Sequence, residues 1–324
     1  MTRTRRQFLA TTAAAAAVAA TEGFAQQSGA KGPAVWLDMD QAQLDAAYDQ
    51  SVYAPNLQQL TKRYATNSDA VRALLGPPTR YAYGSTAIEA VDVYRTSRSN
   101  APIHIFVHGG AWRSGLAKDF AYAAETYVRA GAHYVVVDFI NVLEAKGDLM
   151  PMADQVRRAV AWVCGNAKSF GGDPNRIYVS GHSSGGHLTG VLLTTDWQGQ
   201  FGLPRDVIKG GLCCSGLFDL KAVRLSARSN YVKFNDAMEE ALSSQRHLQH
   251  LTAPLLLAYG TLETPEFQRQ SRDFAAAVKA AGKEVRLLVG VGYNHFEMPE
   301  TLASPYGLLG REMLTMMKLT SAPS

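Results

Sequence analysis

Beyond residue 40 the chain switches between two hydrophobic spacings. Asp40 stands before a helical pattern over residues 41–48, and Gln43 completes a capping box with it. Ala54-Pro55-Asn56 breaks the chain. A second helical stretch then runs to Leu75, where Gly76-Pro77-Pro78 stops it. From there the period shortens. Residues 88–95 alternate as a strand, 103–107 form a short apolar run ending at His108-Gly109-Gly110, and 135–137 compose a buried strand. A helix over 118–130, closed by Gly131, separates the last two. Pro151 opens the next helix, with Val156, Val160, Val163 and Ala167 on its buried face, and 171–174 end it. Further strands are predicted at 176–180, 208–214, 255–259 and 285–289, and further helices at 185–195, 265–281 and 304–318. Strands that alternate with helices imply a mostly parallel sheet covered on both faces. Residues 221–250 are polar and irregular, sit between two strands, and read as a small lid.

Composition narrows the classes without changing this picture. The chain has 324 residues, 47% hydrophobic and 19% charged, which suits one large domain and excludes a disordered chain. The net charge of +4 carries no nucleic-acid signal, because Arg3, Arg5 and Arg6 against Glu22 put half of it into the first 25 residues. Cys164, Cys213 and Cys214 are too few for a disulfide framework and read as small buried hydrophobes. Cys213 and Cys214, adjacent in a strand, point to opposite faces. With no C-x-x-C or H-E-x-x-H pattern, no metal is expected.

The N-terminus reads as an address. Arg5-Arg6-Gln7-Phe8-Leu9 precedes an Ala-rich stretch from Thr11 to Ala20, and Gly23-Phe24-Ala25 offers a small-residue cleavage site. Paired arginines followed by x-Phe-Leu resemble the bacterial twin-arginine signal, so residues 1–25 are expected to direct the folded protein to the periplasm or beyond through the twin-arginine export machinery.

The candidate chemistry lies at three strand ends. Gly181-His182-Ser183-Ser184-Gly185 fits G-x-S-x-G where a strand gives way to a helix, the context that makes the serine a nucleophile. Glycines two before and two after remove side chains that would clash in so sharp a turn. The N–H of Ser184, one residue on, is an oxyanion donor. His108-Gly109-Gly110-Ala111-Trp112 follows an earlier strand, and the N–H groups of Gly110 and Ala111 are further donors; His108 is expected to support the loop. His295, just after the last predicted strand, is the candidate base, whereas His247 and His250 suit the lid surface. Two carboxylates follow predicted strands. Glu263 after 255–259 is favoured as the acid, and Asp219 after 208–214 is the alternative, suited to capping backbone at the lid's entry. No phosphate-cradling glycine motif is present.

These pieces resemble the α/β-hydrolase superfamily, and within it the arylformamidase (kynurenine formamidase)-like group near the hormone-sensitive-lipase-like esterases. The matching segments are Tyr48-Asp-Gln50 with Pro55-Asn56, His108 to Trp112, Gly181 to Leu188, Ser215-Gly-Leu-Phe-Asp-Leu220 with Arg224-Leu-Ser226, and Glu263-Thr-Pro-Glu-Phe267 with Arg269-Gln-Ser271. The resemblance implies Ser183 as nucleophile, Glu263 as acid and His295 as base. Ser184 departs from the commoner alanine, which spares the backbone donor, and the acid is Glu rather than Asp. It also implies a single hydrolase domain over 26–324 with lid segments near 36–75 and 221–250.

The expected activity is hydrolysis of carboxylic esters or small aryl amides through an acyl-enzyme, without cofactor or metal. The alternatives are an arylformamidase acting on N-formylkynurenine-like formamides, a non-catalytic binding protein of this fold, and a structural or polymer-binding periplasmic protein. The expected partner is a small-molecule substrate; neither nucleic acid nor, after leader removal, membrane is expected.

Overall fold

The computed structural model describes residues 31–319, so the expected leader over 1–25 lies outside the described residues. The helices are α1 (Gln41–Ala47), α2 (Leu57–Leu75), α3 (Ala124–Ala130), α4 (Met150–Asn166), α5 (Ser184–Leu193), α6 (Trp197–Phe201), α7 (Leu220–Leu225), α8 (Asp236–Leu242), α9 (Pro265–Ala280) and α10 (Leu308–Met316). The strands are β1 (Thr79–Ala82), β2 (Ala90–Tyr94), β3 (Ala101–Val107), β4 (His133–Val137), β5 (Gly172–His182), β6 (Ile208–Cys214), β7 (Leu255–Leu262) and β8 (Val285–Asn294). They form one eight-stranded sheet in the order β1-β2-β4-β3-β5-β6-β7-β8. β1–β2 and β2–β4 pair antiparallel, and every pair from β4 through β3 to β8 is parallel.

The central strands β2, β3 and β4 are buried on both faces, which a sheet covered by helices on each side requires. One core layer gathers Ile103, Ile105, Val135, Val137, Val156, Val160, Val163, Ile177 and Val179. The other gathers Phe106, Tyr127, Tyr134, Val136, Leu212, Leu256 and Met313. Cys213 belongs to the first layer and Cys214 to the second, so the two adjacent thiols do point to opposite faces. Cys164 is only partly buried, because it sits near the end of α4 off the helix face that carries Val156, Val160 and Val163.

The sequence pattern fails where burial is absent or local geometry is irregular. β1 was not expected: its residues are mostly exposed, so it pairs as an edge strand without an apolar signature. The stretch expected as one helix over 118–130 is a 3₁₀ segment, Ala117–Ala123, kinked at Phe120 and followed by α3. The final helix, expected over 304–318, is shorter, α10 running Leu308–Met316, and a separate 3₁₀ turn at Met298–Ala303 precedes it. The capping box before α1 is present in full, with Asp40 accepting from the N–H of Gln43 and Gln43 accepting from the N–H of Asp40.

Candidate active site

β5 ends at His182, and Ser183 makes the corner into α5 with φ +57° and ψ −125°. That left-handed backbone is strained for a residue with a Cβ. It persists because the corner is wedged from both sides. A Cβ at Gly181 would lie 2.3 Å from the carbonyl oxygen of Gly185, and one at Gly185 would lie 2.1 Å from that of Val107. The helix therefore seats directly on β3, and the N–H of Ser183 is tied to the carbonyl of Cys214 at 2.9 Å.

Beside it the loop after β3 turns through three successive positive φ values, +122° at Gly110, +55° at Ala111 and +62° at Trp112. Trp112 anchors this turn. It is buried, and its indole Nε1 donates to His187 Nδ1 at 3.2 Å. Gly109 passes so close to the corner that a Cβ there would sit 3.1 Å from the Cβ of Ser183. Among the described residues, the N–H groups of Gly110 and Ala111 have no hydrogen-bond partner, and that of Ser184 is at a helix N-terminus with none inside the helix. His108 supports the loop as expected: its Nδ1 bonds the Gly109 carbonyl at 3.0 Å, and its ring stacks on Phe139. Burial pushes its pKa down.

Glu263 follows β7 and His295 follows β8. The His295 Nδ1–H donates to Glu263 Oε2 at 3.0 Å, and both side chains are almost fully buried. The other carboxylate oxygen accepts from the Ser215 hydroxyl at 2.6 Å and the Gly260 N–H at 2.7 Å. A buried carboxylate is costly unless its lone pairs are met, and here three donors meet them. With Nδ1–H engaged, the neutral imidazole presents Nε2 as its free acceptor. Among the described residues no hydrogen bond joins Ser183 Oγ to His295, but both side chains open into the same cleft of about 1080 Å³. Catalytic hydrogen bonds are often long before substrate binds. Asp219 is elsewhere: its carboxylate accepts from the N–H of Lys221 as the N-cap of α7 and pairs with Arg246 at 3.2 Å.

The cleft is walled by an N-terminal strap, residues 45–65, and by the segment after α7. Tyr48, Gln50, Leu57 and Tyr64 line one side, and Arg228 and Tyr231 another. Its volume is at the upper end for small-molecule sites, and the two segments wall it on different sides. Arg228 donates to the Tyr231 hydroxyl at 2.6 Å and to the Tyr48 carbonyl at 3.0 Å, while Arg113 lies 4.5 Å over the Tyr231 ring. Among the described residues there is no cluster of three His, Cys, Asp or Glu side chains able to hold a metal.

Several supporting residues carried no readable signal of their role. Ser215, with φ +53° after β6, is aimed at Glu263 only by that backbone. His187 joins the Gly110–Trp112 loop to α8, accepting from Trp112 and donating from Nε2 to the Leu242 carbonyl at 3.0 Å; burial pushes its pKa down to about 4. Gln50 pairs with Thr264, next to the acid, through two bonds of 3.0 and 3.1 Å. Partners so distant in sequence leave no local pattern; a polar residue beside a chain-breaking proline, as Asn56 is, was the nearest hint.

Two family models match parts of the chain: BD-FAE over residues 91–206 and the prolyl oligopeptidase family over 151–304. The kynurenine formamidase of Danio rerio is 27% identical over 295 residues, covering 87% of this chain and 98% of its own. Esterase LipC of Mycobacterium tuberculosis is 29% identical, over 63% of this chain and 55% of its own. Among solved structures, one from Silicibacter sp. superposes with a TM-score of 0.73 at 20% identity, covering 85% of this chain and 99% of its own. An esterase from Thermogutta terrifontis gives 0.61 at 19%, covering 76% and 95%. The chain has the α/β-hydrolase fold. Within that fold its sequence is similar to a kynurenine formamidase and to esterases.

Proposed function

We propose that this α/β-hydrolase cleaves carboxylic esters or small aryl amides, arylformamides among them, with Ser183, His295 and Glu263 as its triad. The observation that carries this reading is the buried Glu263–His295 pair opening into the same cleft as Ser183 at its strained corner. Glu263 holds the imidazole by Nδ1–H and stabilises the imidazolium. His295 Nε2 takes the proton of Ser183 as Oγ attacks the acyl carbon. The N–H groups of Gly110, Ala111 and Ser184 receive the oxyanion. His295 then gives its proton to the departing alcohol or amine. Water, deprotonated in turn by His295, hydrolyses the acyl-enzyme and returns Ser183.

A serine-directed phosphonate is expected to label Ser183 alone and abolish hydrolysis of a chromogenic acetate ester. Labelling at Ser184, or full activity in Ser183→Ala, sinks the assignment. A panel of aryl esters, formanilides and carbamates separates the substrate classes. The length of the kynurenine formamidase match supports including formamides in it.

Arg5-Arg6-x-Phe8-Leu9 and the apolar stretch behind it support a second proposal, export of the enzyme by the twin-arginine route. Changing both arginines to lysine is expected to leave activity intact and retain the enzyme in the cytoplasm with its leader attached. Normal periplasmic recovery of that variant overturns the route.

A further inference from the structure

The base is carried on a tight turn that is held from two sides. Within the turn, Asn294 Oδ1 accepts from the N–H groups of Phe296 at 3.0 Å and Glu297 at 3.1 Å, and Glu297 Oε2 accepts from the N–H of Asn294 at 3.0 Å. His295 is enclosed by these reciprocal bonds, so its main chain moves only if the whole turn moves. From the strap, Asn56 reaches the same two residues. Its Nδ2 donates to Glu297 Oε1 at 2.9 Å, and its Oδ1 accepts from Asn294 Nδ2 at 2.8 Å. Tyr64, also on the strap side, donates its hydroxyl to the Phe296 carbonyl.

The second hold comes from the nucleophile's own neighbour. His182 Nε2 is 2.8 Å from the carbonyl oxygen of His295, and the two rings are 4.5 Å apart. A carbonyl only accepts, so Nε2 carries the proton and His182 is fixed in one tautomer. Burial, and then the adjacent His295, hold its pKa well below the usual histidine range, which keeps it neutral. His182 is bonded covalently to Ser183, whose backbone the elbow fixes. The hydrogen bond from its ring therefore spans the gap between the nucleophile's corner and the base's turn.

Geometry explains why such a span matters. Glu263 grips His295 through one atom, Nδ1, and a ring held at one atom can still pivot. Whether Nε2 faces Ser183 Oγ depends on where the main chain of His295 lies. We propose that His182 and Asn56 are positioning residues that set the separation of Ser183 from His295. This rests on the triad reading above. Neither touches the reacting atoms; each acts through the turn.

The test compares His182→Ala, His182→Gln and Asn56→Ala with the wild type on a small acetate ester, reading kcat, KM and thermal midpoint. An ångström of misplacement costs on the order of 100-fold. His182→Ala is therefore expected to lose about 10- to 100-fold in kcat with KM within about twofold. Gln offers an N–H at similar reach, and His182→Gln is expected to recover most of the loss. Asn56→Ala is expected to lower kcat in the same way by a smaller factor, since Tyr64 remains. Unchanged kcat in His182→Ala, or a loss that glutamine does not restore and that tracks the thermal midpoint, overturns the role of His182. If His182→Ala does not fold, a wild-type kcat in Asn56→Ala overturns the proposal, and a lowered kcat there at unchanged KM, with near-wild-type kcat in His182→Gln, upholds it. Full activity in Ser183→Ala would instead overturn the triad reading, and this proposal with it.

Discussion

The acid is where single atoms decide. Glu263 and Asp219 both follow strands, and chain order admits either; position favours Glu263, and the 3.0 Å bond from His295 Nδ1 goes to it and not to Asp219. Glu263→Gln is expected to keep the fold but favour the wrong imidazole tautomer, lowering kcat by roughly 10⁴-fold, as the acid of serine proteases does when amidated. Asp219→Asn is expected to leave kcat near normal, since Asn also caps helices well, and to shift stability by about 1 kcal/mol or less. Measuring kcat and thermal midpoint for both checks the assignment; collapse of kcat in a well-folded Asp219→Asn would transfer the role. Ser215→Ala removes one of three donors to a buried carboxylate and is expected to cost ~1.5–3 kcal/mol of stability by chemical denaturation. The residues proposed as the triad were legible because Ser183, Glu263 and His295 each fall just past a strand. Ser215, Gln50 and Asn56 were not legible in these roles, because their partners lie 48, 214 and 241 residues away.

At the scale of elements, the junction of β5 and α5 is the part the chain can least alter. Gly185→Ala would put a Cβ 2.1 Å from the Val107 carbonyl and 2.4 Å from that of His108. Helix and strand would have to part, so a loss of about 3 kcal/mol or more is expected. Circular dichroism melting checks it, and a wild-type midpoint would show that α5 can lift without cost. The same junction was readable in advance because glycine spacing and a change of period coincide there. Strand length was not. β7 and β8 continue past their apolar runs, pairing Gly260 with Gly290 and Leu262 with Asn294. Those residues are added by ladder hydrogen bonds with several side chains exposed, and hydrophobic patterning records burial, not pairing.

For the molecule as a whole, buried histidines set the response to acid. Burial lowers His104 to about 3 and His187 to about 4, against an ordinary value near 6.5. Below pH 6.5 the unfolded chain therefore binds protons that the folded one refuses, and stability falls as pH drops from 6.5 toward 4. Above 6.5 both states are neutral and these groups contribute no slope. Each contributes up to ~1.4 kcal/mol per pH unit inside the window. Thermal midpoints at pH 7.5 and 5 are expected to differ clearly, the acid sample melting first; equal midpoints would show that the histidines are reached by solvent.

The sequence by itself determined the alternation of strands and helices, the strand–turn–helix corner at Ser183, the glycine-lined loop at 108–112 and the late position of His295. Each is written locally, in spacing or in the absence of a side chain, and needs no distant partner to be recognised. The tertiary structure supplied the bond by which Glu263, already favoured, and not Asp219 meets His295, the tie of the Gly110–Trp112 loop to α8 through His187, and the braces of Gln50 and Asn56 on the Glu263 and His295 loops. It also decided the size of the cleft, one side of which Tyr48, Gln50, Leu57 and Tyr64 line. The reason is the same throughout. A hydrogen bond between groups two hundred residues apart depends on where folding carries both ends, and period, propensity and turn chemistry describe only one end at a time.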